Sequence, residues 1–342
     1  MTDRTRHDRF AAALAGQPAD RPPIAAWRHF VEHEHGAEAL ARATVDFALR
    51  WDWDWVKINP RATYYAEAWG ARYDAADYRD VLPRQVAQPV VAPGDLGRIG
   101  RLDAATTPAL AEQLEAARLI RRQLPDRPVL QTVFSPLGVL LALAGRSPFA
   151  QGEVYGADRP VELAALLDAD RSGLHRALRA IAETLADYVA LLVGPAVGVD
   201  GIFYAVLGTA QDGLLDQAGF RELSRPYDEI VLAAANGAVR LFHTCGAHAH
   251  PEWFADYPVE GLNWDVWADG NPGLDAPAAR PAVGGVSHQL IAAGTPDQVA
   301  AQTRQALAEA GGRPFLLTPS CAIPITVPDA NLTAFRAAVE KS

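Results

Sequence analysis

Apolar and polar positions along the chain fall into short apolar runs alternating with longer stretches of helical spacing. Asp20-Arg21-Pro22-Pro23-Ile24-Ala25-Ala26-Trp27-Arg28-His29 opens on two prolines and then runs apolar, which reads as a first strand. Ala37 to Arg50 has helical periodicity, and Asp54-Trp55-Val56-Lys57-Ile58-Asn59-Pro60 reads as a second strand stopped by its proline. Residues 60–105, rich in aromatics, glycines and prolines, predict an irregular insertion of the kind that builds active-site walls. A helix over Pro108 to Leu124 precedes a third strand, Pro128 to Pro136, and 160–193 predicts two amphipathic helices joined near Asp168 to Ser172. Strands follow at Gly201–Val206, Val239–Cys245, Val259–Asp265, Pro281–Val286 and Pro314–Thr318. Helices are expected between them at Phe220–Asn236, near His250–Tyr257 and at Thr295–Ala310, with Asp329–Glu340 closing the chain.

Eight short strands alternating with helices are the layout of one (β/α)₈ barrel over residues 1–342, with an insertion after its second strand. A doubly wound open sheet is the alternative, but no glycine fingerprint follows the first strand. Polar residues also gather at strand C-terminal ends: Arg28, His29, Asn59, Ser135, Tyr204, His243, Cys245, Asp265, His288 and Cys321. In a barrel those ends share one mouth.

Composition narrows the classes. The 342 residues are 49% hydrophobic and 21% charged, as in a soluble globular protein. A formal charge of −10 argues against nucleic acid or an anionic membrane as partner. The first ten residues are charged and no run of about twenty apolar residues occurs, so a cytoplasmic location is expected. There the two cysteines are expected as thiols. No nucleophile elbow, phosphate-binding loop or dinucleotide fingerprint is present, and hydrolase, NTPase and dehydrogenase readings lose their usual support.

The chemistry that remains centres on Leu241-Phe242-His243-Thr244-Cys245-Gly246 and on Cys321. Side chains two apart on a strand share a face, so His243 and Cys245 project together. With Cys321 at a neighbouring strand end they form an imidazole and two thiols, a Zn²⁺ ligand set with an open fourth position. Taken singly, a cysteine is most often a small buried hydrophobe and a histidine a hydrogen-bonded structural group. His248 and His250 read as a turn-exposed pair. Asp265 and His288, at strand ends, remain open as metal ligands, outer partners of the ligands or substrate contacts. Arg28 offers a fork for an anionic substrate, with a surface ion pair as the alternative; Asn59 and Tyr204 are further candidates for substrate or outer-partner roles. The three tryptophans Trp51, Trp53 and Trp55 read as packing between strand and outer helix.

Arg21-Pro22-Pro23-Ile24, Thr132-Val133-Phe134-Ser135-Pro136 and above all Pro319-Ser320-Cys321-Ala322-Ile323-Pro324-Ile325-Thr326-Val327-Pro328-Asp329-Ala330-Asn331-Leu332 make the whole chain resemble the uroporphyrinogen decarboxylase superfamily, a (β/α)₈ barrel. Its decarboxylases carry a histidine where this chain has Cys321, whereas its cobamide-dependent methyltransferases carry a cysteine paired with an upstream His-x-Cys. His243, Cys245 and Cys321 match that zinc triad. The decarboxylase residues match poorly: of two N-terminal arginines only Arg28 is present, with Glu32 in the place of the second, Asn59 or a neighbour stands where a catalytic Asp is expected, and Ala142 stands for a tyrosine.

The resemblance implies transfer of a methyl group from methylcobalamin, or from a separate corrinoid protein, to a small thiol held as thiolate on Zn²⁺. No protein side chain is then needed as nucleophile. No corrinoid-binding motif lies in this chain, so the corrinoid is expected from outside, and a homodimer fits the superfamily. A metal-free decarboxylase-like lyase and a non-catalytic corrinoid- or metal-binding accessory protein are the alternatives.

Overall fold

A computed structural model describes residues 4–149, 152–168, 170–276 and 279–340. Its strands are β1 (Val56–Ile58), β2 (Arg72–Arg79), β3 (Leu82–Ala87), β4 (Val129–Phe134), β5 (Gly201–Leu207), β6 (Val239–Thr244), β7 (Gly261–Asn263), β8 (Ala282–Val286) and β9 (Leu316–Pro319). Seven of these form a parallel sheet in the order β1-β4-β5-β6-β7-β8-β9, while β2 and β3 pair antiparallel with each other. Helices separate most of the consecutive parallel strands, as parallel pairing demands of its crossovers; between β6 and β7 there is only the 3₁₀ turn Pro251–Phe254, and among the described residues no helix lies between β7 and β8. The sheet strands are buried almost throughout, because helices cover the outer face and side chains fill the inner one.

The first expected strand reduces to one bridge, Ile24 to Leu317 of β9. Ala25 donates to the Leu317 carbonyl at 3.2 Å and Leu317 to the Pro23 carbonyl at 3.0 Å. On the other side Asp54, just before β1, donates to the Ile24 carbonyl at 2.9 Å. Pro22 and Pro23 have no N–H to offer a ladder, which limits the pairing to this point. The Asp54 carboxylate supplies the missing anchorage. It accepts from the Ile24 N–H at 2.8 Å, from Arg21 at 2.5 and 2.9 Å and from Arg9 at 3.0 Å, all while buried.

Two departures from the expected elements have local causes. The helix expected over Phe220–Asn236 is two helices, Gln217–Leu223 and Arg225–Ala233, meeting at Ser224, because Pro226 cannot continue the hydrogen-bond ladder of the first. Residues 60–105 are not irregular throughout: they hold the helix Tyr64–Ala68, the β2–β3 pair and a 3₁₀ turn at Pro93–Arg98. The paired helices expected in 160–193 are present as Leu163–Asp168 and Arg171–Val193; Ala169 in their junction lies outside the described residues. Among the described residues, no helix is long and apolar enough to cross a membrane.

Candidate metal centre

Register brings the centre together. β6 places His243 on the inner face, beside the Phe203 ring of β5 at 5.6 Å, and Cys245 follows on the same face just past the strand end. The Cys245 N–H donates to the Leu207 carbonyl at 2.9 Å, extending the pairing by one residue before the chain turns at Gly246, where φ is +89°. Cys321 sits in a bend after β9 held on both sides: Ser320 donates to the Val286 carbonyl at 2.8 Å and Ile323 to the Trp27 carbonyl at 2.9 Å.

The two Sγ atoms are 3.6 Å apart, and the ligand atoms of His243, Cys245 and Cys321 all lie within 4.8 Å of one another. Two thiolates at about 2.3 Å from a tetrahedral ion stand about 3.8 Å apart, so the pair has the spacing a zinc ion requires. The histidine is oriented to match. Asn263, its register partner on β7, donates through Nδ2 to the Val283 carbonyl, which can only accept. That fixes Asn263 Oδ1 as the atom facing His243 Nδ1 at 2.5 Å, so Nδ1 carries the proton and Nε2 keeps the lone pair for a metal. The hydrogen bond from Cys245 holds the Cys321 thiol well below its ordinary range, assisted by His243 and by the charge of His288. The same bond, with burial and the charge of Asp265, pushes Cys245 up. A metal ion takes both cysteines as thiolates, so its binding would displace the proton they share.

The triad lines a cavity of about 380 Å³ that opens among the C-terminal ends of the parallel strands. Trp27, Tyr65, Phe134, Phe149, Phe203 and Ile323 make most of its wall apolar. Lys57 and Asn59 project into it from β1 and the residues after it, two apart and on one face. Lys57 Nζ donates to Asn59 Oδ1 and lies over the rings of Phe203 and Trp27, at 4.7 and 5.2 Å from their centroids. Burial pushes its ammonium down to about 7, against the opposing pull of Cys321 and Cys245. His29 lines the cavity too, with Nδ1 3.7 Å from the fully buried Glu34 carboxylate, to which Tyr78 of β2 donates at 2.8 Å.

The other expected site residues divide. Asp265 and His288 stand behind the thiols, 3.8 Å from each other, close enough to bias their charge but outside the cavity lining; His288 Nδ1 is bonded to Ser320 at 2.8 Å. Tyr204 faces the helices instead of the mouth. Its hydroxyl donates to Asp228 at 2.6 Å, a carboxyl that burial pushes up to about 7. Phe203 and Ala205 occupy the inner face of β5 in its place. Arg28 points outward as well: it donates to the Ile325 carbonyl at 3.1 Å and lies over Phe30 and Phe47, in a crevice separate from the cavity. Ser135 caps the helix Pro136–Leu143, and His248 and His250 are turn residues, with His250 between Asp212 and Glu252.

Lys57 and Asn263 are site residues that sequence reasoning passed over. For Lys57 the signal was a charge in the middle of an apolar strand, at the same parity as Asn59.

A sequence profile of the family described as Uroporphyrinogen decarboxylase (URO-D) matches residues 5–342. No curated protein matches the chain. Among solved structures, a methyltransferase from Methanosarcina mazei superposes with a TM-score of 0.74 at 20% identity, covering 98% of both chains. A B12-independent methionine synthase from Shewanella sp. W3-18-1, in complex with selenomethionine, gives 0.53 at 13% identity over 89% of this chain and 87% of that one. At these identities the likeness is one of fold.

Proposed function

The chain belongs to the uroporphyrinogen decarboxylase family, and within it we propose that this protein is a zinc-dependent methyltransferase moving a methyl group from a methylated corrinoid to a small thiol. The observation that carries the reading is the convergence of His243, Cys245 and Cys321, whose ligand atoms lie within 4.8 Å of one another on the wall of an apolar cavity. The methyltransferase from Methanosarcina mazei, which shares the fold, supports the same reaction class.

His243 through Nε2 and the two Sγ atoms would hold the ion. Zn²⁺ at such a site lowers the pKa of a bound thiol and keeps it as thiolate near neutral pH. The protein's own part is positional and electrostatic. Asn263 sets the histidine tautomer, the Lys57 ammonium faces the negative charge gathered at the thiols, and the aromatic wall keeps water from the reacting sulfur. Overall, the thiol loses its proton, a carbon–sulfur bond forms and the methyl group's bond to its donor breaks.

The reading includes one barrel domain in which Pro23–Ala25 serves as the eighth stave. The donor would arrive as free methylcobalamin or on a separate corrinoid protein, to a cytoplasmic enzyme that forms a homodimer. The lyase alternative is disfavoured by the lining: among its described residues no arginine occurs, and a substrate carrying several carboxylates would find only Lys57 and the histidines.

Methylcobalamin incubated with the purified chain and a panel of small thiols should lose its absorbance in a thiol-dependent reaction. The protein should hold about one zinc per chain, and Cys321→Ala should lose both metal and turnover. Zinc-free wild-type protein, or no thiol-dependent demethylation, would sink the reading.

A further inference from the structure

The cavity wall contains donors that no group among the described residues satisfies. An ammonium has three N–H groups, and Lys57, buried between Trp27 and Phe203, donates among the described residues only to Asn59 Oδ1. Asn59 is itself buried, and its Nδ2 has no hydrogen-bond partner among the described residues. Both side chains leave the same face of β1 and the residue after it, and both line the cavity, whose wall is mostly apolar, with Trp27 and Phe203 against Lys57, and also carries Thr63, Thr132, Glu153 and the metal-site triad. Buried donors left unmade are costly, and two such groups side by side in an apolar wall are an arrangement that a ligand completes. The ligand must bring acceptors and no donors. Negative charge on it would match the ammonium, which no carboxylate pairs with among the described residues and which otherwise faces only the two cysteines. A compact oxyanion with several lone pairs meets each condition.

We propose that Lys57 and Asn59 form the anion-binding end of the substrate site, taking a carboxylate- or sulfonate-type head group carried by the thiol. Lys57 Nζ and Asn59 Nδ2 donate to its oxygens, while its sulfur end reaches the His243, Cys245 and Cys321 cluster lining the same cavity. The word thiol here rests on the methyl-transfer reading; the anion subsite does not. Lys57 serving only as counter-ion to the cysteines is the competing account, and it predicts no preference among ligands.

Titration calorimetry on the full-length, zinc-loaded chain separates these, using 3-mercaptopropionate, the neutral 3-mercaptopropan-1-ol, and propionate. Wild-type protein should bind the anionic thiol about ten- to hundredfold more tightly than the neutral one, and propionate should compete. Lys57→Met should bring that ratio to about one, the anionic thiol losing more affinity than the neutral one, and Asn59→Leu should reduce the ratio in part. Zinc content and circular dichroism check that each variant is folded, and Asn59→Leu carries the test where Lys57→Met does not fold. Absence of discrimination by the wild type, or equal weakening of both thiols in the variants, would overturn the proposal. Anion discrimination that persists without methyl transfer would keep this subsite and remove the methyltransferase reading.

Discussion

A histidine ligates through whichever nitrogen its hydrogen bonds leave free, and for His243 that choice is made one strand away by Asn263. Replacing Asn263 with Ala frees the ring to turn and to change tautomer while leaving all three ligands in place. Zinc affinity should fall by roughly 10- to 100-fold, measured by competition with a chromophoric chelator; an unchanged affinity would mean that the asparagine has no part in orienting the ligand. Strand parity made His243 and Cys245 legible as a pair from the sequence, because two residues apart on one strand fixes a shared face. Tyr204 and Arg28 lack such a same-face partner. Lying near a strand's C-terminal end says which rim a residue is on, but not which side of the sheet it leaves. Phe203 and Ala205 take the inner face of β5, so Tyr204 turns to Asp228. Asn263 and Lys57 are illegible for a different reason: each is a polar residue inside a strand, and its role depends on partners on other strands, Val283 and His243 for Asn263, Trp27 and Phe203 for Lys57.

Among the elements, the segment Pro22–Ala25 is the one held chiefly by side chains. A single bridge ties it to β9, and the Asp54 carboxylate ties it to the chain entering β1 through Arg9, Arg21 and the Ile24 N–H. Asp54→Ala would leave two guanidinium groups without their shared buried partner and remove the carboxylate bond to the Ile24 N–H, while the backbone bond from residue 54 to the Ile24 carbonyl stays. The expected cost is about 3–5 kcal/mol, read as a lowered urea midpoint with a preserved m-value. A loss below about 1 kcal/mol would show that the knot behaves as a surface ion pair. The seven sheet strands were visible as apolar runs because they are buried on both faces. The β2–β3 pair was not, since β2 is polar and largely exposed, β3 exposes Leu82 and Val86 while burying Pro83 and Gln85, and the register shifts twice.

For the molecule as a whole, the parallel strands carry a cavity at their C-terminal ends, and the family profile spans nearly the entire chain. The family was legible from the block around Cys321, and the architecture from the alternation of strand and helix. What the sequence left open was the character of the cavity. Its apolar wall and, among the described lining residues, its one lysine and lack of arginine depend on which face each strand turns inward, and that is settled only when the strands pair. The account's central claim is that His243, Cys245 and Cys321 hold zinc with one position left for a substrate sulfur. X-ray absorption at the zinc edge of the purified full-length chain, with and without 3-mercaptopropionate, tests it most directly. The account predicts two sulfur neighbours at about 2.3 Å without the thiol and three with it. Bound zinc whose sulfur count stays the same on adding saturating thiol, or a chain that takes up no zinc, would contradict it.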